Sequence, residues 1–283
     1  MRPLAFAVAA AAATVLLLSC GDSPEAARKP TVNRFDSHAA WRLLKWQVRL
    51  GPRPAGSPAS RRLARRVKRL LPHGRYESVP GGLRNVVGRV PGRSRRYVVV
   101  GAHYDTKDIP GFVGANDGAS GTAVVTELAR TIRPRTLRKT VVFVLFDGEE
   151  SPAGTPDSEF EQKGLRGSKV AARRFHRARA MVLLDFVGDK RLRIPRESFS
   201  NRRLWRKLRA AARRVGAGRA FPPRVQAGVL DDHVPFVRRG VPSIDLVDFD
   251  FACFHRTCDD LGAVSERSLD LVGETVLSFL ASL

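Results

Sequence analysis

Acidic residues are scarce in this sequence. Only 27 Asp and Glu stand against 50 Lys and Arg, a formal net charge of +23. Such an excess permits contact with nucleic acid or with anionic lipid headgroups. The features that would build a nucleic-acid surface are missing, however. Aromatics make up 7% of the residues, no regular alternation of basic and aromatic residues is visible, and no nucleic-acid-binding module is recognised. The arginines are scattered through every segment (Arg61, Arg62, Arg65 and Arg66; Arg173 and Arg174; Arg202 and Arg203; Arg213 and Arg214). They read as solvated charge with some attraction to an anionic membrane surface, not as a specific nucleic-acid site. No internal repeat is visible, which excludes a solenoid. A hydrophobic content of 43% in 283 residues leaves room for one large α/β domain with a buried core, or two small ones.

Long apolar runs are also absent, with one exception. Arg2 precedes an apolar run from Leu4 to Leu18 that is too short and too rich in Ala for a comfortable membrane span. It reads as an export signal over residues 1–19. The run ends in Leu17-Leu18-Ser19-Cys20, which resembles a bacterial lipoprotein cleavage site and makes Cys20 the expected lipidated first residue. The polar, proline-containing stretch Gly21 to Thr31 fits a tether over residues 20–36. The expected destination is the extracytoplasmic face of a membrane, anchored through Cys20, or secretion. Cysteines number three, so only Cys253 and Cys258 remain. An oxidising compartment allows them to pair; two free thiols are the alternative.

The rest, residues 37–283, reads as one domain. Ser37–Leu50 and Ala59–Leu71 carry apolar residues at helical spacing, separated by a loop, Gly51-Pro52-Arg53-Pro54-Ala55-Gly56-Ser57-Pro58. Leu83–Val90, Tyr97–Ala102, Thr140–Phe146, Ala180–Phe186 and Val241–Val247 are short runs rich in Val, Leu and Phe and predict strands. Gly118–Ile132, Gly167–Phe175, Ser200–Val215, Val234–Arg239 and Ser268–Leu283 predict helices. Near-continuous apolar strands alternating with helices imply a single three-layer α/β/α domain around a mostly parallel sheet. In such sheets, sites form beyond the carboxyl ends of the strands.

Polar side chains able to hold a metal stand at those ends. His103 and Asp105 follow the second predicted strand, and Asp117 lies in the turn before the helix at Gly118. Glu149 and Glu150 follow the third strand, Asp185 sits near the end of the fourth, and His255 lies in the loop after the fifth. Taken singly, each has an ordinary explanation: Asp117 a turn or cap residue, the glutamates loop charges, His255 a loop histidine. Their coincidence at strand ends points to a metal centre. A hydrolytic zinc site uses His nitrogen and carboxylate oxygen and keeps one position open. A pair of such ions needs a carboxylate between them, a role suited to Asp117. Of two adjacent glutamates, one can ligate, Glu150, while Glu149 stays free as a general base.

The motifs Gly101-Ala102-His103-Tyr104-Asp105, Gly114-Ala115-Asn116-Asp117-Gly118-Ala119-Ser120-Gly121, Phe146-Asp147-Gly148-Glu149-Glu150, Leu183-Leu184-Asp185 and Asp231-Asp232-His233-Val234-Pro235-Phe236, with the His255 loop, resemble the di-zinc aminopeptidases and their relatives, the glutaminyl-peptide cyclotransferases. The resemblance implies the aminopeptidase-like fold, one or two zinc ions per chain, and substrates that are peptide or protein N-termini. One zinc would be held by Asp117, Glu150 and His255. A second would use His103 and Asp185, sharing Asp117. Asp105 would fix the imidazole of His103, Asp232 would support the site from behind, and Glu149 would be the general base.

Within the resemblance two reactions stay open. The motif from Asp231 through Pro242 and the insertion after Glu150 are similar to the cyclotransferases, where aminopeptidases commonly carry a small hydroxyl residue in place of Asp231. Asp231 beside Asp185 is expected to form a hydrogen-bonded pair sharing a proton, suited to proton transfer during cyclisation of N-terminal glutamine. The turn Asn116-Asp117-Gly118-Ala119-Ser120-Gly121 looks instead like an aminopeptidase, and Phe254 stands where the cyclotransferases carry an indole for binding substrate. A catalytically silent binding lipoprotein is the reading outside enzymology.

Overall fold

A computed structural model describes residues 34–283; the expected signal, Cys20 and all but the last three residues of the tether lie outside the described residues. Two helices open the described chain, α1 (Ser37–Arg49) and α2 (Pro58–Leu70), and a hairpin follows, β1 (Arg75–Val79) and β2 (Leu83–Val90). The α/β succession is β3 (Ser94–His103), α3 (Ala119–Thr131), β4 (Lys139–Phe146), α4 (Phe160–Lys163), α5 (Arg166–Arg174) and β5 (Met181–Asp185). A two-residue ribbon, β6 (Arg196–Glu197) with β7 (Val225–Gln226), flanks α6 (Arg202–Arg214). The chain ends with α7 (Val234–Val237), β8 (Ser243–Val247) and α8 (Glu266–Ala281).

The six-stranded sheet has the order β1-β2-β4-β3-β5-β8. β4, β3, β5 and β8 are mutually parallel, whereas the hairpin adds two antiparallel strands at one edge. Both faces are apolar because both are covered. Along β3, Val98, Val100 and Ala102 face the core beneath α1, α3, α6 and α8. Val99, between them, faces α5 with Val87, Val142 and Val144. This two-sided burial is why the strands read as continuous apolar runs rather than alternating ones.

The expected three-layer architecture is the one observed. β1 escaped notice because Arg-Tyr-Glu-Ser-Val carries little apolar signal, as suits an edge strand that buries one face. The strand expected from Val241 starts at Ser243, since Val241 closes the turn beneath Phe236 and Pro242 has no N–H to offer the ladder. The helix expected over Val234–Arg239 is one turn, Val234–Val237, stopped where Gly240 takes φ 73°.

Candidate active site

Parallel pairing aligns the strand ends. His103 is the last residue of β3 and lies opposite Phe146, the last of β4; Asp185 is the last of β5. The chain leaves β4 straight into Asp147-Gly148-Glu149-Glu150, and His255 comes from the loop after β8. Asp117 stands just before α3, where Gly118 takes φ 81°. A Cβ at Gly118 would lie 2.5 Å from the carbonyl oxygen of Asp105 and 3.2 Å from the His103 ring. Glycine is therefore required for the turn that pushes Asp117 against the histidine.

Two donor sets result, His103–Asp117–Asp185 and Asp117–Glu150–His255. His103 Nε2 is 3.3 Å from Asp117 Oδ1 and 3.2 Å from Asp185 Oδ1. His255 Nε2 is 3.6 Å from Asp117 Oδ2 and 3.4 Å from Glu150 Oε1. Asp117 thus turns one oxygen to each imidazole. These residues fit zinc. They are the nitrogen and oxygen donors that it takes, and Asp117 Oδ2 is buried with no hydrogen-bond partner. The Asp117 carboxyl is pushed up to about 6 by burial and then by the Glu150 charge.

The supporting residues differ from expectation in one respect. Asp105 Oδ1 is 3.8 Å from His103 Nδ1, too far for a hydrogen bond. Its two oxygens instead accept the backbone N–H groups of Glu149 and Glu150, each at 3.2 Å. Asp105 therefore shapes the glutamate turn, because the main chain after β4 comes closer than the imidazole does. Asp259 does the same for Asp117, accepting the N–H groups of Asn116 at 2.7 Å and Asp117 at 3.0 Å. Lys107 Nζ lies 3.4 Å from Glu150 Oε2.

Sequence reading passed over Arg53, one residue of a Gly/Pro loop. Its side chain is fully buried and donates to the carbonyls of Gln47, Gly51, Val113 and Gly114. Burial lowers its pKa to about 10, against the opposing pull of Asp117, Asp259 and Asp105. It ties the loop before Asp117 to α1. Arg53→Met is expected to cost on the order of 3 kcal/mol, since it leaves buried carbonyls unpaired and removes the charge opposite Asp259. A lowered urea midpoint measures this, and an unchanged midpoint would refute the role. No local pattern marks Arg53; only the return of the chain around it does.

Glu149, Asp185 and Asp231 share one cavity of about 700 Å³ with Asp117, Glu150 and His255. Glu149 is held well above the usual carboxylate range, by burial first and then by the Glu150 charge. Asp231 is also raised, by burial and then by Asp185 and Asp232. The direct bond expected between Asp185 and Asp231 is absent. Asp231 Oδ1 accepts the N–H of Asp232 at 2.5 Å and Oδ2 has no partner, while Asp185 Oδ1 accepts the N–H of Phe186 at 2.9 Å. Asp185 Oδ1 also lies 3.2 Å from His103 Nε2, and the two acids act on one another through charge. Asp232 does not reach the cavity; it is buried behind it, its carboxyl pushed up to about 7 by burial.

The cavity mouth is walled by phenylalanine. Phe254 stacks on His255 with ring centroids 3.8 Å apart and meets Phe249 at 5.1 Å and Phe186 at 5.6 Å. His255 has φ 51°, uncommon for a side chain of its size. Cys253 and Cys258 are disulfide-bonded across it, which settles the question of free thiols. Cys253→Ser combined with Cys258→Ser is expected to weaken zinc binding about tenfold, because the loop then relaxes from a geometry that presents His255. Competition with a chromogenic chelator reads the affinity, and an unchanged value would show that the bridge is irrelevant to the metal.

Known proteins share this fold. Over 217 residues, 64% of this chain, it is 28% identical to the glutaminyl-peptide cyclotransferase of Drosophila melanogaster, of whose length it spans 59%. The crystal structure of an Acidobacteriales bacterium glutaminyl cyclase superimposes with a TM-score of 0.76 at 28% identity, covering 91% of this chain and 97% of that one. A leucine aminopeptidase precursor from Bacteroides thetaiotaomicron gives 0.79 at 25% identity, covering 90% and 99%. Peptidase family M28 matches residues 85–280, a stretch that runs from β2 into α8 and carries both donor sets. The chain belongs to peptidase family M28.

Proposed function

We propose that this chain is a zinc-dependent glutaminyl-peptide cyclotransferase, closing N-terminal glutamine of peptides or proteins to pyroglutamate with release of ammonia. The observation that carries this reading is the grouping of Glu149, Asp185 and Asp231 in the cavity that also holds Asp117, Glu150 and His255. Its similarity to enzymes named for that reaction supports it.

Asp117, Glu150 and His255 would hold the zinc, with His103 and Asp185 completing a second donor set around Asp117. The bound metal supplies polarisation of the side-chain amide carbonyl. The remaining chemistry is proton transfer within one molecule. The α-amine nitrogen bonds to the amide carbon while the bond from that carbon to the side-chain nitrogen breaks. One proton must pass from the amine to the departing nitrogen, which leaves as ammonia. Glu149, buried and kept basic enough to take that proton, is the general base and then the acid. Asp231 and Asp185 orient the amine. Phe254, with Phe186 and Phe249, forms the wall against which the glutamine side chain packs, in the place of an indole. The tethered nucleophile gives an effective concentration that a free amine would lack.

One observation favours hydrolysis as a second reading. His103 stands within 3.3 Å of Asp117 Oδ1, so the donor set for a second ion is complete, as a di-zinc aminopeptidase requires. Mass spectrometry of Gln-initiated peptides decides between them: loss of ammonia is expected, and release of free N-terminal residues without it would overturn the proposal. Asp231→Ser is expected to reduce cyclisation on the order of 10²-fold; unchanged cyclisation would remove Asp231 from the mechanism. The proposal includes export with a signal over residues 1–19, a lipid on Cys20 and a tether over residues 20–36. Among the described residues no helix is long and apolar enough to cross a membrane. Labelling with a radioactive fatty acid, lost in Cys20→Ala, tests the anchor.

A further inference from the structure

The arginines are not uniformly dispersed once the chain is folded. At the amino ends of the parallel strands, opposite the metal site, α5 stops at Arg174 and Phe175 after it packs on the sheet. A cavity of about 580 Å³ opens there, lined by Arg75, Arg89, Arg95 and Arg174 with Tyr97, Val142 and Phe175. Sheet register explains the convergence. Arg75 of β1 pairs with Val87, Arg89 follows two residues along β2 on the same face, and Arg89 pairs with Val142 of β4. Val142 in turn pairs with Val99 of β3, two residues from Tyr97 on that face. Cationic side chains from β1, β2, β3 and α5 are thereby brought around an apolar floor.

No acid lines this cavity. The nearest described acidic contact, Glu77, is already engaged by Asn85 Nδ2 at 2.9 Å and Arg174 Nε at 3.4 Å. Arg75, Arg89 and Arg95 are exposed, and among the described contacts none pairs with a carboxylate. The excess continues along the same end of the molecule. Lys139, at the start of β4, is depressed below the ordinary lysine value by burial and then by Arg138, Lys207, Arg96 and Arg179. An oxyanion that several guanidinium groups can share, in forked hydrogen bonds, is the ligand such a lining favours.

We propose that this cavity is a phosphate-binding site, taking the phosphate group either of a lipid headgroup or of a soluble phosphate. The nine residues of β3 from Arg95 to His103 span roughly 25 Å. A phosphate bound here would leave the catalytic mouth at the other end of the sheet open to peptides. With a bilayer as the source, the enzyme sits on the membrane with its active site turned outward.

The test uses the chain with Cys20→Ser, so that no acyl group contributes. Co-sedimentation with vesicles of phosphatidylglycerol and, separately, with phosphatidylcholine is measured at about 0.15 M salt, beside calorimetric titration with inorganic phosphate and pyrophosphate. Arg89→Gln with Arg95→Gln removes two cavity charges. Arg61→Gln with Arg62→Gln, on the exposed face of α2, removes two elsewhere. Loss of at least about tenfold in affinity from the cavity pair, with less than about twofold from the α2 pair and an unchanged unfolding midpoint in both, is expected for loss of charge-assisted partners. Binding to phosphatidylglycerol vesicles alone identifies a headgroup site, and binding of the soluble anions identifies a free-phosphate site. Equal loss from the two pairs would show net charge without a site, and no binding in either arm would likewise overturn the proposal.

Discussion

Glu149→Gln will keep its zinc and lose turnover of Gln-initiated peptides on the order of 10²-fold or more, the range for a positioned general base. The substitution is isosteric and leaves untouched the contacts that set the turn. Asp105 accepts the Glu149 N–H, and the Glu149 carbonyl accepts the N–H of Leu165 at 2.8 Å; both belong to the backbone. Glu150 therefore stays beside His255. The change removes only the capacity to take a proton, so kcat falls while KM moves little. Zinc measured by plasma emission should match wild type. Near-normal turnover by Glu149→Gln protein with its zinc intact would falsify the assignment of the base.

Asp117→Ala has the opposite signature, loss of metal and activity together. Its two oxygens are the atoms on which His103 and His255 both converge. Without them the donors divide into His103 with Asp185 and His255 with Glu150, each too few for a stable zinc site. Zinc content well below one ion per chain is expected, with turnover at the detection limit. The fold should survive. Asp259 bonds to the Asp117 main chain, not its side chain, and α3 is preceded by Gly118, which makes no side-chain cap bond. Near-UV circular dichroism checks that the variant is folded. Full zinc occupancy in Asp117→Ala would mean that the metal is held elsewhere.

How much of this was legible beforehand depends on whether the deciding forces are local. Strand and helix positions followed from apolar runs, since each must bury a face, and the observed bounds differ from the expected ones by a few residues at most. The candidate donors were legible for a similar reason: His103, Asp117, Glu150 and Asp185 stand beside short motifs that end strands or open a helix. The expected bond between Asp185 and Asp231 is not among the bonds these acids make: Asp185 accepts the N–H of Phe186 and Asp231 that of Asp232. Asp105 was expected to serve an imidazole; it stands 3.8 Å from His103 Nδ1 and also accepts two peptide N–H groups. Both differences lie in side-chain placement, which motifs do not resolve.

The layer architecture, the family and the candidate metal donors could be read from the order of residues alone, because periodicity, turn chemistry and donor type are written along the chain. Only the tertiary structure decided that Arg53 is buried, that Cys253 and Cys258 join across His255, and that Arg75, Arg89, Arg95 and Arg174 converge. Arg53 holds positions 60 and 61 residues away, and the four arginines lie on four different elements. Their meeting is fixed by strand order and register, which arise when the whole sheet closes and leave no local trace in the neighbours of any one residue.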